Sequence, residues 1–93
     1  MIDYSGLVND EGMPYGIGRA SMHGDQIYEG QCLHDRAHGY GRIIFNSNMY
    51  YVGQWRDGYF NGIGTKVTIN LDGTKHVQHG YFENHCLVQE FED

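Results

Sequence analysis

The chain lacks any run approaching the eighteen or so apolar residues needed to cross a membrane as a helix, and no signal-peptide pattern opens it. A soluble, cytoplasmic protein or fragment is therefore the expected setting. Cations are scarce too: six Lys and Arg, scattered from Arg19 to Lys75, face twelve Asp and Glu for a net charge of -6. A nucleic-acid surface needs clustered cations, so no nucleic-acid partner is expected. An anionic leaflet gains about 1 kcal/mol per added Lys or Arg, so lipid ranks below protein as a partner.

Only two cysteines are present, Cys32 and Cys86, more than two repeats apart in the register described below. A disulfide needs Cα atoms within about 7 Å, so both thiols are expected to be reduced, with Cys32 a small buried residue. His76, His79, His85 and Cys86 cluster, but their spacing matches no common zinc pattern. His76 and His79 also differ in strand parity and should point to opposite faces, so neither metal nor cofactor is expected. No Ser/His/Asp spacing, nucleophile elbow or phosphate-cradling loop is present, and the recurring Asp35 and Asp57 suit turn chemistry; the chain reads as non-catalytic.

What is abundant is glycine and tyrosine, and both recur with a period. Tyr28-Glu29-Gly30 returns as Tyr51-Val52-Gly53, and Gly39-Tyr40-Gly41 returns as Gly62-Ile63-Gly64, each displaced by 23 in the numbering. Gly16-Ile17-Gly18 precedes Gly39-Tyr40-Gly41 by the same interval, and Tyr4-Ser5-Gly6 precedes Tyr28-Glu29-Gly30 by one more. The additional residue falls in the turn-like run Asn9 to Pro14. Gln78-His79-Gly80-Tyr81-Phe82 resembles Tyr51-Val52-Gly53-Gln54-Trp55, displaced by 27. A fixed period in the twenties marks a stacked repeat. The units run over about 4–27, 28–50 and 51–77, with a partial fourth over 78–88, and the whole of 1–93 is one domain.

Within a unit, Tyr28, Gly30 and Cys32, or Tyr51, Gly53 and Trp55, alternate with period two and share one face of a strand. A short polar run, Leu33 to Ala37 or Arg56 to Phe60, leads to Gly-x-Gly and a second strand, with Ile43 and Phe45 on the glycine face. Each unit is thus a hairpin. Glycines recurring inside strands suggest places where a neighbouring ring lies flat over bare backbone. The third unit adds two residues to each arm around Asp72-Gly73, which preserves side-chain parity; Val67 to Asn70 and Thr74 to Val77 should project beyond the sheet edge. The last strand is expected to end at Phe82, because His85 stands where Gly58 stood and no further Gly-x-Gly follows. Leu87 to Asp93 reads as a tail, a short cap or a cut end. Arg19 and Arg42 follow the second glycine in successive units and form a two-step ladder, most simply a solvated face, that Thr65 breaks.

The pattern YxGxW, polar turn, GxG resembles the MORN (membrane occupation and recognition nexus) repeat from Tyr4 to about Leu87. Cys32 departs from it where Trp55 and Phe82 stand, Gln78 replaces the leading Tyr, and Lys66 and Thr68 replace the pair Ile43 and Phe45. The resemblance implies an all-β, elongated, single-layer stack of antiparallel hairpins with about seven strands. It also implies a binding role: scaffolding of protein assemblies, in a cytoskeletal or ciliary setting, or, as alternatives, a membrane or phosphoinositide tether or the accessory region of a larger enzyme. Tyr28, Ile43, Phe45, Tyr51, Trp55 and Phe82 share one face, and two readings stand: the rings pack on neighbouring glycines as core, or part of the row stays open to a partner peptide or helix, with Trp55 as anchor. The edge strands offer self-association or strand pairing, expected here through Gln78 to Phe82.

Overall fold

The computed structural model of the chain describes residues 3–21, 26–46 and 48–91. Eight strands follow one another in a single antiparallel sheet whose spatial order is the chain order. They are β1 (Asp3–Val8), β2 (Pro14–Ser21), β3 (Ile27–Leu33), β4 (Arg36–Asn46), β5 (Met49–Arg56), β6 (Tyr59–Ile69), β7 (Lys75–Glu83) and β8 (Cys86–Glu90). The extents of 44 × 25 × 17 Å describe an elongated slab, as strands laid side by side at about 4.8 Å require. No helix occurs among the described residues, so none is long and apolar enough to cross a membrane.

The register is held by a row of glycines running across seven strands. Gly6 pairs with Gly18, Gly18 with Gly30, Gly30 with Gly41, Gly41 with Gly53, Gly53 with Gly64 and Gly64 with Gly80. Removing every side chain along this line leaves a slot into which the leading tyrosines lie. A Cβ on Gly41 would meet the Tyr28 ring, and one on Gly64 the Tyr51 ring. Each ring is pinned at its far end: the hydroxyls of Tyr4, Tyr28 and Tyr51 donate to the carbonyls of Leu7, Gln31 and Gln54 at 2.7, 2.6 and 2.7 Å. The repeating tyrosine and the paired glycines are one packing device.

Beside this row the register slips between Gly30 and Cys32 and between Gly53 and Trp55, so that Gln31 and Gln54 each face a longer stretch of the partner strand. Such bulges bend a sheet and need one residue in unusual backbone geometry. Here it is the first glycine of the Gly-x-Gly, Gly39 (φ 95°) or Gly62 (φ 99°). The glutamine side chain fills the notch, and its Oε1 accepts the N–H of Tyr40 or Ile63, both at 2.6 Å. Gln31 and Gln54 are also separated by one full repeat period, a recurrence in the sequence that marks this clamp.

Two kinds of turn recur among the described residues. His34-Asp35, Asp57-Gly58 and Asn84-His85 all have positive φ at both residues, the two-residue hairpin turn that matches strand twist. Their second N–H stitches each hairpin to the one before: Asp35 to Pro14 O, Gly58 to Ala37 O and His85 to Phe60 O. Asn9 to Met13, joining β1 to β2 at this same end, and Asn70 to Thr74, joining β6 to β7 at the opposite end, close identically, the asparagine exchanging backbone bonds with the residues three and four ahead.

Three expectations change. There are eight strands rather than about seven, because Asn84-His85 adopts the positive-φ turn without a glycine and folds Cys86–Glu90 back along β7. Consequently Gln78 to Phe82 is an interior strand paired on both sides, and the edge beyond it is β8; strand addition through Gln78 to Phe82 is closed. The first arm of the lengthened hairpin does not project freely either. β5 pairs with β6 up to Thr68, Ile69 N–H reaches Asn48 O, and Val67 is buried between Tyr50 and Val77 in the register. The other arm, Lys75 to Val77, pairs with β6 but lies beyond the last β7–β8 pair at Gly80, so it and the turn with its fully exposed Leu71 do stand clear. Both cysteines are free, Cys32 buried and Cys86 exposed.

Candidate functional site

Strand alternation places Tyr28, Cys32, Ile43, Phe45, Tyr51, Trp55 and Phe82 on one face, where they join Ala37 and Phe60 in a single cluster with Tyr4 and Leu87 at its margin. Burial separates the two readings of these rings. Tyr51, Tyr28, Phe82 and Trp55 are 0, 1, 3 and 5% exposed, and Ile43 is equally covered; they are core. Of the six residues expected to meet a partner, only Phe45 is part-exposed. The reason lies in ring geometry. Tyr51 stacks on Phe60 at 3.9 Å, and Trp55 meets Tyr28, Tyr51 and Phe60 edge-on at 5.2, 5.3 and 4.8 Å. The indole is fixed further by its Nε1–H, which donates to Gly41 O at 2.9 Å.

The sequence pattern assigns Phe60 to the polar run of the turn rather than to this cluster. It stands just after a two-residue turn, Asp57-Gly58, where a longer polar run is expected from the sequence. Counting back in twos from Gly64 and Gly62 puts Phe60 on the glycine face, so the parity signal exists. Ala37 is placed the same way.

Four of the six expected residues still converge on an opening. Tyr28, Ile43, Phe45 and Trp55 form the floor of a pocket of about 290 Å³, close to the lower size of small-ligand sites. Gln26, Asp35, Arg36 and His85 contribute polar groups at its walls. Tyr51 and Phe82 do not line it. His85 caps Phe60 edge-on at 4.4 Å, and its Nδ1 accepts the Phe60 N–H at 3.3 Å. Burial, with the Lys66 ammonium adding to it, holds this imidazole below its ordinary pKa, which keeps it neutral as an acceptor must be.

Residues 28–50 and 51–70 match the model of the MORN repeat, and these spans are β3 with β4 and β5 with β6, the two hairpins that build the pocket. The chain carries two MORN repeats, over residues 28–70. No curated protein matches it. In these MORN hairpins the leading tyrosines and Trp55 are packed as core, whereas Phe45 and the polar pocket walls reach solvent.

The zinc question turns on placement. His76 pairs with Thr68 on the aromatic face, whereas His79 pairs with Thr65 on the other, where its Nδ1 lies 2.7 Å from the Thr65 hydroxyl. Arg19 and Arg42 do align on that other face, with Glu29 between them at 3.9 and 3.2 Å. All three are solvent-exposed, where such pairs contribute about 0–1 kcal/mol.

A pH dependence follows from the core. Burial raises the phenol of Tyr51 to about 12 and that of Tyr28 further, from an ordinary value of 10.0. Because the folded value is raised, the stabilising contribution is complete below pH 10 and is lost as pH climbs from 10 towards 12. The melting temperature should therefore hold up to about pH 10 and then fall, with Tyr28→Phe and Tyr51→Phe each flattening the decline. A phenolate absorbance titration with a single ordinary midpoint for every tyrosine would contradict it.

Proposed function

We propose that this protein is a non-catalytic interaction module, a scaffold that holds a segment of a protein partner against its aromatic face. The observation that carries this reading is the pocket floored by Tyr28, Ile43, Phe45 and Trp55. Its floor is rigid, because every ring but Phe45 is locked in the core, and a preorganised apolar surface avoids the ordering cost of binding. The walls mix Asp35, Arg36 and His85, which suits a peptide or helix that inserts one apolar or aromatic side chain and sets polar neighbours at the rim. Phe45, rather than the buried Trp55, Tyr28 or Tyr51, is the contacting anchor.

Trp55 is the sole tryptophan and forms part of the floor, so its emission reports occupancy. Peptides selected from a random displayed library against the module should carry an apolar anchor and shift the emission of Trp55. Phe45→Ala should weaken their binding about tenfold or more, which is about 1.4 kcal/mol, while circular dichroism stays that of the native sheet. Selected peptides that bind without altering Trp55 emission and ignore Phe45→Ala would overturn the assignment.

A further inference from the structure

The face opposite the core carries a pattern that the pocket does not use. The middle residue of each Gly-x-Gly points to it, and Ile17, Tyr40 and Ile63 are 71, 62 and 42% exposed. They stand on β2, β4 and β6 at one height in the register, since each precedes a member of the glycine row. On the strands between, Gln31 and Gln54 turn their amides down into the notches at Gly39 and Gly62. The result is three apolar ridges on alternate strands with low polar ground between them. An open basin of about 470 Å³ lies beside Tyr40, over Gln54 and reaching Arg56.

Spacing selects what fits these ridges. Strands about 4.8 Å apart put alternate strands about 9.6 Å apart. An extended segment laid along the row repeats its same-side residues every two positions, at about 6.8 Å, and falls out of step. A helix repeats positions seven apart at about 10.5 Å, within about 1 Å of the ridge spacing.

Charge selects further. The chain as a whole is at -6, yet beside these ridges stand Arg19, Arg42 and Arg56, all exposed, with Glu29 shared between the first two. At the far end of the same face an aromatic side chain from an acidic stretch is already seated. Phe91, flanked in the sequence by Glu90 and Glu92, packs edge-on against Tyr81 at 4.9 Å and His79 at 5.1 Å, and its N–H donates to His79 O at 2.7 Å.

We propose that this second face docks an acidic amphipathic helix of a partner protein, its heptad-spaced apolar residues seated among Ile17, Tyr40 and Ile63 and its carboxylates meeting Arg19, Arg42 and Arg56. The module then holds two partners, or two segments of one, on opposite faces of a single sheet.

The test is a displayed library of helical peptides with leucine fixed at heptad positions and the flanking positions randomised, selected against the full chain. Enrichment of Asp and Glu at the flanks is expected. Binding of the selected peptides should fall at least tenfold in Tyr40→Glu and in Ile17→Glu, weaken in Arg42→Ala and at raised salt, and be unchanged in Phe45→Ala. Tyr40 and Ile17 are both exposed, so the two variants should melt as the parent does, and either one alone suffices should the other disturb the sheet. No enrichment, enrichment without acidic bias, or binding that survives both glutamate variants would overturn the proposal. Loss in Phe45→Ala with retention in Tyr40→Glu would also overturn it, by moving the helix to the aromatic pocket; a failed pocket with an intact second face would be the reverse pattern.

Discussion

Tyr51→Ala should destabilise the protein by about 3–5 kcal/mol, the range for deleting a fully buried aromatic ring. The ring is completely covered, stacks on Phe60, meets Trp55 and Phe82 edge-on, and fills the slot over Gly64. Its loss opens a cavity bounded by strand backbone, which cannot collapse inward without breaking the glycine register. A domain of this size has roughly 5–15 kcal/mol in total, so the variant should be largely unfolded well below the parent's melting temperature. Tyr51→Phe separates the ring from its hydroxyl. That hydroxyl donates to Gln54 O at 2.7 Å, so the phenylalanine variant should lose only about 1 kcal/mol and melt about 4–8 °C lower. Denaturant unfolding followed by Trp55 emission measures both. An alanine variant within about 1 kcal/mol of the parent would mean that the ring is not part of the core.

The second large effect is expected at Gly53. A Cβ there would crowd the Gly64 Cα and sit 2.6 Å from Ile63 O, both backbone atoms of the adjoining strand that cannot rotate away. Its φ of 152° is a further cost for any residue with a side chain. Gly53→Ala should therefore separate β5 from β6 at the centre of the sheet and cost at least about 3 kcal/mol, combining backbone strain with overpacking. Gly73→Ala is the internal comparison: its Cβ would meet nothing, though its φ of 86° still strains it. It should cost about 1 kcal/mol. Urea midpoints of the two variants that coincide would show that cross-strand approach is not what selects glycine at Gly53.

The period-two alternation in Tyr28-x-Gly30-x-Cys32 and Tyr51-x-Gly53-x-Trp55 was enough to place these residues on one face, and the recurrence of that motif at a fixed interval was enough for a one-layer hairpin stack of the MORN kind. Less legible was where the hairpins turn. Asp57-Gly58 needs only two residues, so the run from Arg56 to Phe60 is mostly strand, and Phe60 enters the core beneath Tyr51. Asn84-His85 makes the same turn without glycine, since two residues can carry positive φ when tertiary bonds such as Phe60 N–H to His85 Nδ1 hold them. Nothing in the local pattern shows that stabilisation, so the eighth strand was hidden.

By itself the sequence determined side-chain parity, repeat length, the tyrosine and glycine partnership and the MORN repeats, because each depends on spacing along one chain. Only the tertiary structure decided which of the shared-face rings are covered. Parity says where a side chain points, but burial depends on what the next hairpin lays over it. The glycine row lets Tyr28 and Tyr51 sink flat and lets Trp55 and Phe60 close around them, leaving Phe45 at the pocket and turning Ile17, Tyr40 and Ile63 outward to solvent.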